Sequence, residues 1–305
     1  MPNNTLKIAC YGEILWDVFP DKKRLGGAPL NVAMRLHSFG AAVGMISSLG
    51  NDALGKEASS LLESEGLDLS YIQRNKLPTG VVNVTLSKSG AAAYEIKENV
   101  AWDAIPWTEE NAAFVSQADA LILGSLAFRS IDPEMESGGT NLEALEVLLE
   151  RSKFTIFDLN LRTPFYDLEM VIGLMEASQM VKMNDEELEL IVIALGVEKE
   201  SLEEEVRAVA SITHTETLCV TLGSDGAMLL HKDKIYTQIG FPTKVVDTVG
   251  AGDSFLAALV FGLLSGETPD DTLEVAYAVG SLVASKAGAN PVVTNDEIND
   301  LSGFE

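Results

Sequence analysis

Short apolar runs alternate with longer amphipathic stretches along most of the chain. From about Asp119 onward, Ala120–Gly124, Phe154–Asp158, Met180–Met183 and Thr217–Leu222 read as short, β-rich strands. Between them Asn141–Arg151, Asp185–Leu195 and Leu202–His214 carry helical spacing. The first part follows the same scheme: strand Ile8–Gly12, helix Asn31–Phe39 stopped by Gly40, strand Val43–Leu49, and helix Ala53–Glu65 stopped by Gly66. This alternation predicts an α/β fold, a doubly wound and mostly parallel sheet with helices on both faces.

One segment breaks the rhythm. Gly80–Leu86 and Ala91–Ile96 flank the turn-prone Ser87-Lys88-Ser89-Gly90, and Val82, Val84 and Leu86 alternate with their neighbours, which predicts a β-hairpin. A hairpin inserted into a βα series usually stands outside the main sheet. Residues 80–98 and residues 13–25 are therefore expected to form a small β-sheet lid over the carboxyl ends of the strands, where open α/β sheets bind ligands. Residues 1–305 read as one domain without repeats or low-complexity tracts, and a last helix starts at Thr294.

The strongest chemical signal is Asp247-Thr248-Val249-Gly250-Ala251-Gly252-Asp253-Ser254-Phe255, expected between a strand at Thr243–Val246 and an apolar helix at Phe255–Leu264. Small residues at 250–252 let the backbone approach a ligand. The free N–H groups of a helix start then face it, with roughly +0.5 charge from the helix dipole. A carboxylate in the middle of an anion site makes sense if Asp253 accepts the proton of a hydroxyl that attacks a phosphoryl group. The plainer reading is that Asp253 complements the helix N-terminus while Gly250 and Gly252 turn the chain.

Leu25-Gly26-Gly27-Ala28-Pro29-Leu30-Asn31 also has two readings. Asn31 fits an N-cap, with Pro29 near the helix start. Alternatively Gly26 and Gly27 bring backbone against a polyhydroxy ligand and the Asn31 amide bonds two hydroxyls. Asn184-Asp185-Glu186-Glu187 has the form of a capping box. Glu187 could also hold a hydrated Mg²⁺ beside nucleotide phosphates, because that ion prefers oxygen ligands and keeps several waters. Thr221-Leu222-Gly223-Ser224-Asp225-Gly226 is either a nucleotide cradle or a hairpin turn into Ala227–Leu230. In Asp158-Leu159-Asn160-Leu161-Arg162, a period of two puts Asp158, Asn160 and Arg162 on one side, where Arg162 faces a substrate oxygen or pairs with a surface acid.

Gly50-Asn51-Asp52-Ala53-Leu54-Gly55-Lys56-Glu57 nearly matches a phosphate-binding P-loop, but Glu57 stands where Ser or Thr must ligate Mg²⁺. With three histidines, His37, His214 and His231, in helix or turn contexts, a His-based triad is not expected.

Composition narrows the field further. Of 305 residues, 21 are Lys or Arg and 46 are Asp or Glu, a net charge of −25, which disfavours nucleic acid and anionic membranes as partners. Cys10 and Cys219 sit in apolar runs and read as buried thiols in a reducing compartment. No leader pattern is visible, and the longest apolar stretches fall short of the ~20 residues of a membrane helix. A cytoplasmic location is expected, and the Asn-x-Thr triplets at Asn3 and Asn83 carry no meaning there.

Taken together, Gly26-Gly27-x-x-x-Asn31, Asn184-x-x-Glu187 and the Asp247–Asp253 run resemble, in order and spacing, the motifs of the ribokinase-like (PfkB) sugar kinases. The likeness covers essentially the whole chain. Gly12-Glu13-Ile14-Leu15-Trp16-Asp17, Ala101-Trp102-Asp103, Asp158-x-Asn160-x-Arg162 and Lys182–Glu187 look most like bacterial fructokinases.

The resemblance implies that Asp253 is the catalytic base and that the amides of Gly250, Ala251 and Gly252 form the anion hole. It implies that Asn184 and Glu187 organise Mg²⁺ and its water, and that Thr221, Gly223 and Gly226 lie along ATP. Asp17, Gly26, Gly27, Asn31, Glu95 and Arg162 would contact the sugar. A monovalent cation such as K⁺ would bind near the Asp247 loop and Ala287-Gly288-Ala289, where Val249 replaces a frequent Thr but keeps its carbonyl.

The expected acceptor is a neutral ketohexose, fructose, because the only cation cluster near the glycine pair is Lys22-Lys23-Arg24, expected on the exposed lid turn. The acid sugar 2-keto-3-deoxygluconate stays open through Arg162, as do ribose and other sugars of this family. So do a non-catalytic nucleotide or sugar sensor and a mainly structural α/β protein. A homodimer through the lid strands is plausible.

Overall fold

The strand–helix alternation builds one large sheet in the computed structural model, which describes residues 5–86, 92–129, 140–198 and 201–302. The chain opens with β1 (Lys7–Tyr11), β2 (Leu15–Val18), β3 (Lys23–Gly26) and helix α1 (Ala28–Ser38). Next come β4 (Ala42–Gly50), α2 (Ala53–Ser64), β5 (Ile72–Asn75), β6 (Gly80–Leu86) and β7 (Ala92–Ile96). The middle runs through α3 (Glu109–Gln117), β8 (Ala120–Gly124), α4 (Thr140–Arg151), β9 (Thr155–Asp158), α5 (Leu168–Glu176), β10 (Met180–Asn184), α6 (Asp185–Ala194) and α7 (Leu202–Ile212). It ends with β11 (Thr217–Thr221), β12 (Gly226–His231), β13 (Lys234–Ile239), α8 (Ala251–Ser265), α9 (Pro269–Ala284) and α10 (Asn295–Ser302).

Among the described residues the main sheet has nine strands in the order β13-β12-β11-β10-β9-β8-β1-β4-β5. It is parallel from β5 to β11, and β12 and β13 add antiparallel. Period-two side chains sort the core. Ile8, Cys10, Ile122, Ile156, Met180 and Cys219 face α1, α2, α8, α9 and α10. Ala9, Tyr11, Leu123, Phe157, Val181 and Val220 face α3 to α7. Both thiols are free and buried, and burial pushes the Cys219 thiol up to about 12 and the Cys10 thiol higher still.

After β1 the chain moves to β4 and β5, then returns to β8 on the other side of β1. Loops leaving β1 and β8 therefore diverge, and the crevice between them is where such sheets take ligands. A second sheet, β3-β2-β6-β7, contains the expected hairpin β6–β7, whose turn at 87–90 falls outside the described residues together with Ala91.

Three local expectations are corrected. No strand forms at Thr243–Val246. The N–H groups of Val246 and Asp247 bond instead to the Ala284 carbonyl at the end of α9, and Val245 and Val246 stay exposed. Helix α8 begins at Ala251 rather than Phe255, because Gly250 takes a left-handed φ of 77° and caps it. Helix α1 is capped by Gly27 rather than Asn31. The Glu13 carboxyl accepts the Ala28 N–H at 3.0 Å, which leaves Asn31 inside the first turn and free for other work.

The two sheets are joined by a buried ion pair. Arg129, just after β8, donates to both Asp103 oxygens (2.8 and 2.7 Å) and to the Lys97 carbonyl at the end of β7, and stacks on Trp102. Both side chains are fully buried. Replacing Arg129 with Met strands the Asp103 charge, and urea unfolding should show a loss of about 3–5 kcal/mol.

Candidate functional site

The first turn of α8 faces the crevice. Only glycine fits at 250, where a Cβ would lie 2.4 Å from the Ala289 carbonyl oxygen. Gly252 is exposed, and the atom nearest a Cβ there would be Lys182 Nζ at 3.4 Å. The first N–H groups of a helix lack intrahelical acceptors. That of Ala251 is turned to the Thr248 carbonyl at 3.3 Å, so Gly250 and Gly252 are better placed than Ala251 to meet an anion.

Asp253 sits one residue further on. Its Oδ2 accepts the Asn31 amide at 2.7 Å, and the Asn31 Oδ1 accepts from Asn290 at 2.9 Å. The amide expected to hold two ligand hydroxyls is thus largely spent on aiming Asp253. Burial is the main cause that raises the Asp253 carboxyl to about 6. Asp158 adds to the rise, while Asn31, Lys182 and Arg162 oppose it. At neutral pH the group is ionised yet basic enough to take a proton.

Beneath this turn lies a charge cluster. Asp158, the last residue of β9, and Lys182, in the middle of β10, meet at 3.0 Å and are both buried. Burial works against the Lys182 ammonium, but Asp158, Glu187 and Asp253 together hold it above the ordinary lysine value. Glu187 and Asn184 form the expected reciprocal capping box. Asn184 Oδ1 accepts the Glu187 N–H at 2.8 Å, and the Glu187 oxygens accept the N–H groups of Asn184 (2.9 Å) and Leu161 (2.7 Å). Burial is again the first cause that raises the Glu187 carboxyl.

Three carboxylates share one buried ammonium here, and Asp158 Oδ2 has no partner among the described residues. Such a site fits a hydrated divalent cation beside phosphates. No group of three or more His, Cys, Asp or Glu among the described residues could cage a metal alone, which is the usual situation for Mg²⁺. Lys182 opens the Lys182–Glu187 motif without a role of its own in the sequence, although a lysine inside the apolar run Met180–Met183 is an available signal. The expected row of Asp158, Asn160 and Arg162 is broken. β9 stops at Asp158, Asn160 adopts φ 42°, and Arg162 emerges into solvent.

On the other wall stand Asp17, Gly26, Gly27 and Glu13. Gly27 has φ 121°, and a Cβ there would lie 2.3 Å from the Glu13 carbonyl oxygen; one on Gly26 would lie 3.0 Å from Asp17 Oδ2. Burial raises Asp17 to about 6 and Glu13 to about 7, and the exposed Arg162 pulls both back. Glu13 Oε2 is buried without a partner among the described residues. In the sequence Glu13 stands out only as part of the Gly12–Asp17 motif.

Glu95 is separated from this group. Asp17 pairs with Val82 while Glu95 pairs with Asn83, and neighbours along β6 face opposite ways, so Glu95 lies on the far side of the small sheet. It is exposed and bonded to Asn83 and Lys97.

The Thr221–Gly226 segment is the hairpin turn from β11 to β12. Gly226 is required by the sheet, since a Cβ would lie 1.9 Å from the Gln238 carbonyl oxygen. Gly223 (φ 56°) has open space around it, and its carbonyl accepts the Tyr277 hydroxyl. Thr221 Oγ1 donates weakly to Met183 at 3.4 Å. At the Asp247 loop Ala287 is exposed, but the Asp247 carboxylate is already taken by Arg24, Gly288 and Val249, so the residues present do not fit a monovalent cation there. A cavity of about 280 Å³ opens beside Met180, Thr217, His231 and Val260, at the other end of the strands, away from this chemistry.

The description "pfkB family carbohydrate kinase" matches residues 3–295. The chain is 28% identical to a fructokinase of Solanum tuberosum over 95% of this chain and 93% of the relative. Its fold is that of 2-dehydro-3-deoxygluconokinase from Thermotoga maritima (TM-score 0.81, 22% identity, 98% of this chain and 99% of that one). It is also that of a double-mutant fructokinase from Vibrio cholerae O395 in its fructose, ADP and potassium ion bound form (TM-score 0.79, 20% identity, 99% of each).

Glu13 offers a direct check on the electrostatics. Its folded value of about 7 lies above the unfolded one, so its ionisation costs stability as pH rises through 7. Glu13→Gln and the parent should melt alike near pH 4.5, with the variant melting progressively higher up to pH 8.

Proposed function

The chain belongs to the pfkB family of carbohydrate kinases, and we propose on that premise that it transfers the γ-phosphoryl group of ATP to a primary hydroxyl of a neutral sugar, fructose, giving fructose 6-phosphate and ADP. The observation that carries this reading is Asp253, a carboxylate of raised basicity held by Asn31 at an open, glycine-lined helix start.

In this reading Asp253 takes the hydroxyl proton as the oxygen attacks the γ-phosphorus, and the bond to the β-phosphate oxygen breaks as ADP leaves. The Gly250 and Gly252 N–H groups, the α8 dipole and the Lys182 ammonium offset the charge that builds on the moving group. Magnesium, held through water by Asn184 and Glu187, would neutralise phosphate charge when bound. Asp17, Gly26, Gly27 and Arg162 hold the sugar and Asn31 acts on it chiefly by aiming Asp253, while Thr221 and the open Gly223 lie along the nucleotide and Gly226 shapes the turn beneath it. The small sheet acts as the lid of a single domain and excludes water. Its edges β3 and β7 would pair in a cytoplasmic homodimer.

A neutral acceptor is supported by what the nearby cations do. Lys23 pairs with Glu57 and Arg24 with Asp247, so two of the three nearby cations are already matched by carboxylates, and the exposed Lys22 lies over Phe19. Arg162 favours a second reading, 2-keto-3-deoxygluconate, whose carboxylate it could meet; it donates only to the adjacent Leu161 carbonyl among the described residues. Ribose has no feature of its own to support it. A non-catalytic sensor would have no need of a raised carboxylate at the helix start.

ADP release from ATP–Mg²⁺ with a panel of fructose, ribose and 2-keto-3-deoxygluconate should be fastest with fructose. No release with fructose removes that acceptor, and no release with any sugar removes the kinase reading. Asp253→Asn should lower kcat by about 10²–10⁴ while melting no lower than the parent at neutral pH, because the buried charge it removes costs stability there. The parent's kcat/KM should fall as pH drops below about 6, more steeply than one proton allows, because Asp17 titrates in the same range.

A further inference from the structure

We propose that Arg24 is a tethered cation that replaces a monovalent metal ion at the Asp247 loop, and that it latches the small sheet to the anion-binding helix start. Its activity arm rests on the kinase reading above.

The Asp247 carboxylate receives three N–H donors. Arg24 Nη1 and the Gly288 N–H reach Oδ2 at 2.9 and 3.1 Å, and the Val249 N–H reaches Oδ1 at 3.2 Å. A carboxylate offers about four lone-pair sites, so little is left for a metal, and N–H groups aimed at the same oxygens repel one. Together these donors outweigh burial and hold the Asp247 carboxyl below its usual range. The guanidinium also occupies the space beside Gly288, where a Cβ would lie 3.8 Å from Nη1, and its carbon lies 6.0 Å from the centre of the Phe19 ring. The neighbouring Lys286 is held by the Val292 carbonyl and Glu297, which leaves Arg24 as the cation on Asp247.

Position gives this pair a further consequence. Arg24 lies on β3 directly opposite Asp17 on β2, while Asp247 opens the loop that ends in Gly250. One contact therefore ties the sugar wall to the phosphate wall. A free ion could set the charge of the loop but could not transmit a movement of β3 to it. The pair is partly exposed, with 34% and 23% of the side chains accessible, so its role is geometric more than a matter of stability.

The test compares the parent, Arg24→Ala and Arg24→Lys in potassium chloride and tetramethylammonium chloride at equal ionic strength. The parent should turn over at the same rate in both salts and melt at the same temperature in both. Arg24→Ala should lose roughly five- to a hundredfold in kcat/KM in tetramethylammonium chloride and regain much of it in potassium. Its melting temperature should rise specifically with potassium, and Arg24→Lys should fall between the two. Potassium activation of the parent, or an Arg24→Ala protein indifferent to potassium in both rate and melting, overturns the proposal. If no sugar is phosphorylated in either salt, the kinase reading fails while the melting comparison still decides the role of Arg24.

Discussion

Excess negative charge under the first turn of α8 is the constraint on which the rest depends. Asp158, Glu187 and Asp253 gather around the single ammonium of Lys182, and Glu13 and Asp17 stand on the facing wall. Taking carboxylates out of water raises their basicity, and Glu13, Asp17, Glu187 and Asp253 are all raised, each with burial as the leading cause. The protein bears that cost because the helix start, with its unbonded N–H groups, needs a ligand of opposite character. The same electrostatics that raise the basicity of Asp253 make the crevice a destabilised part of the fold.

Topology brings these groups together. The reversal of strand order at β1 opens the crevice, and alternate residues of β9 and β10 send Asp158 and Lys182 toward α8 rather than toward α6. Helix α1 enters from the other side with its first turn capped by Glu13, so Asn31 can reach Asp253. Two ion pairs then fix the small sheet: the buried Asp103–Arg129 pair from below and the Arg24–Asp247 pair across the crevice. They differ in kind, since the first cannot be broken without stranding a buried charge and the second is accessible to solvent.

The choice of acceptor lies with the walls and not with the scaffold, because one fold of this type carries several sugar kinases. Lys23 and Arg24 are drawn away to Glu57 and Asp247, so the wall of Glu13 and Asp17 carries carboxyl groups with the exposed Arg162 guanidinium facing them. Carboxyls of raised pKa suit hydroxyl groups, whereas a second anion would meet them unfavourably.

Strand–helix alternation, the hairpin, the capping box and the glycine clusters were all legible in the sequence, because each is encoded by periodicity or turn chemistry within a few residues. Edge strands β5 and β13, with their mixed burial, and helices α3 and α5 do not stand out in the sequence. Likewise the apolar run at Thr243–Val246 looked like a strand until β13 closed the sheet without it. Glu95 looked like a site residue until register put it on the far face, and Asn31 looked like a cap until Glu13 took that bond. Lys182 and Arg24 acquire meaning only from partners 24 and 223 residues away. Local pattern decided which elements form and where the backbone can approach a ligand. Only the tertiary structure decided which charges meet, because burial and pairing depend on neighbours that the order of residues does not name.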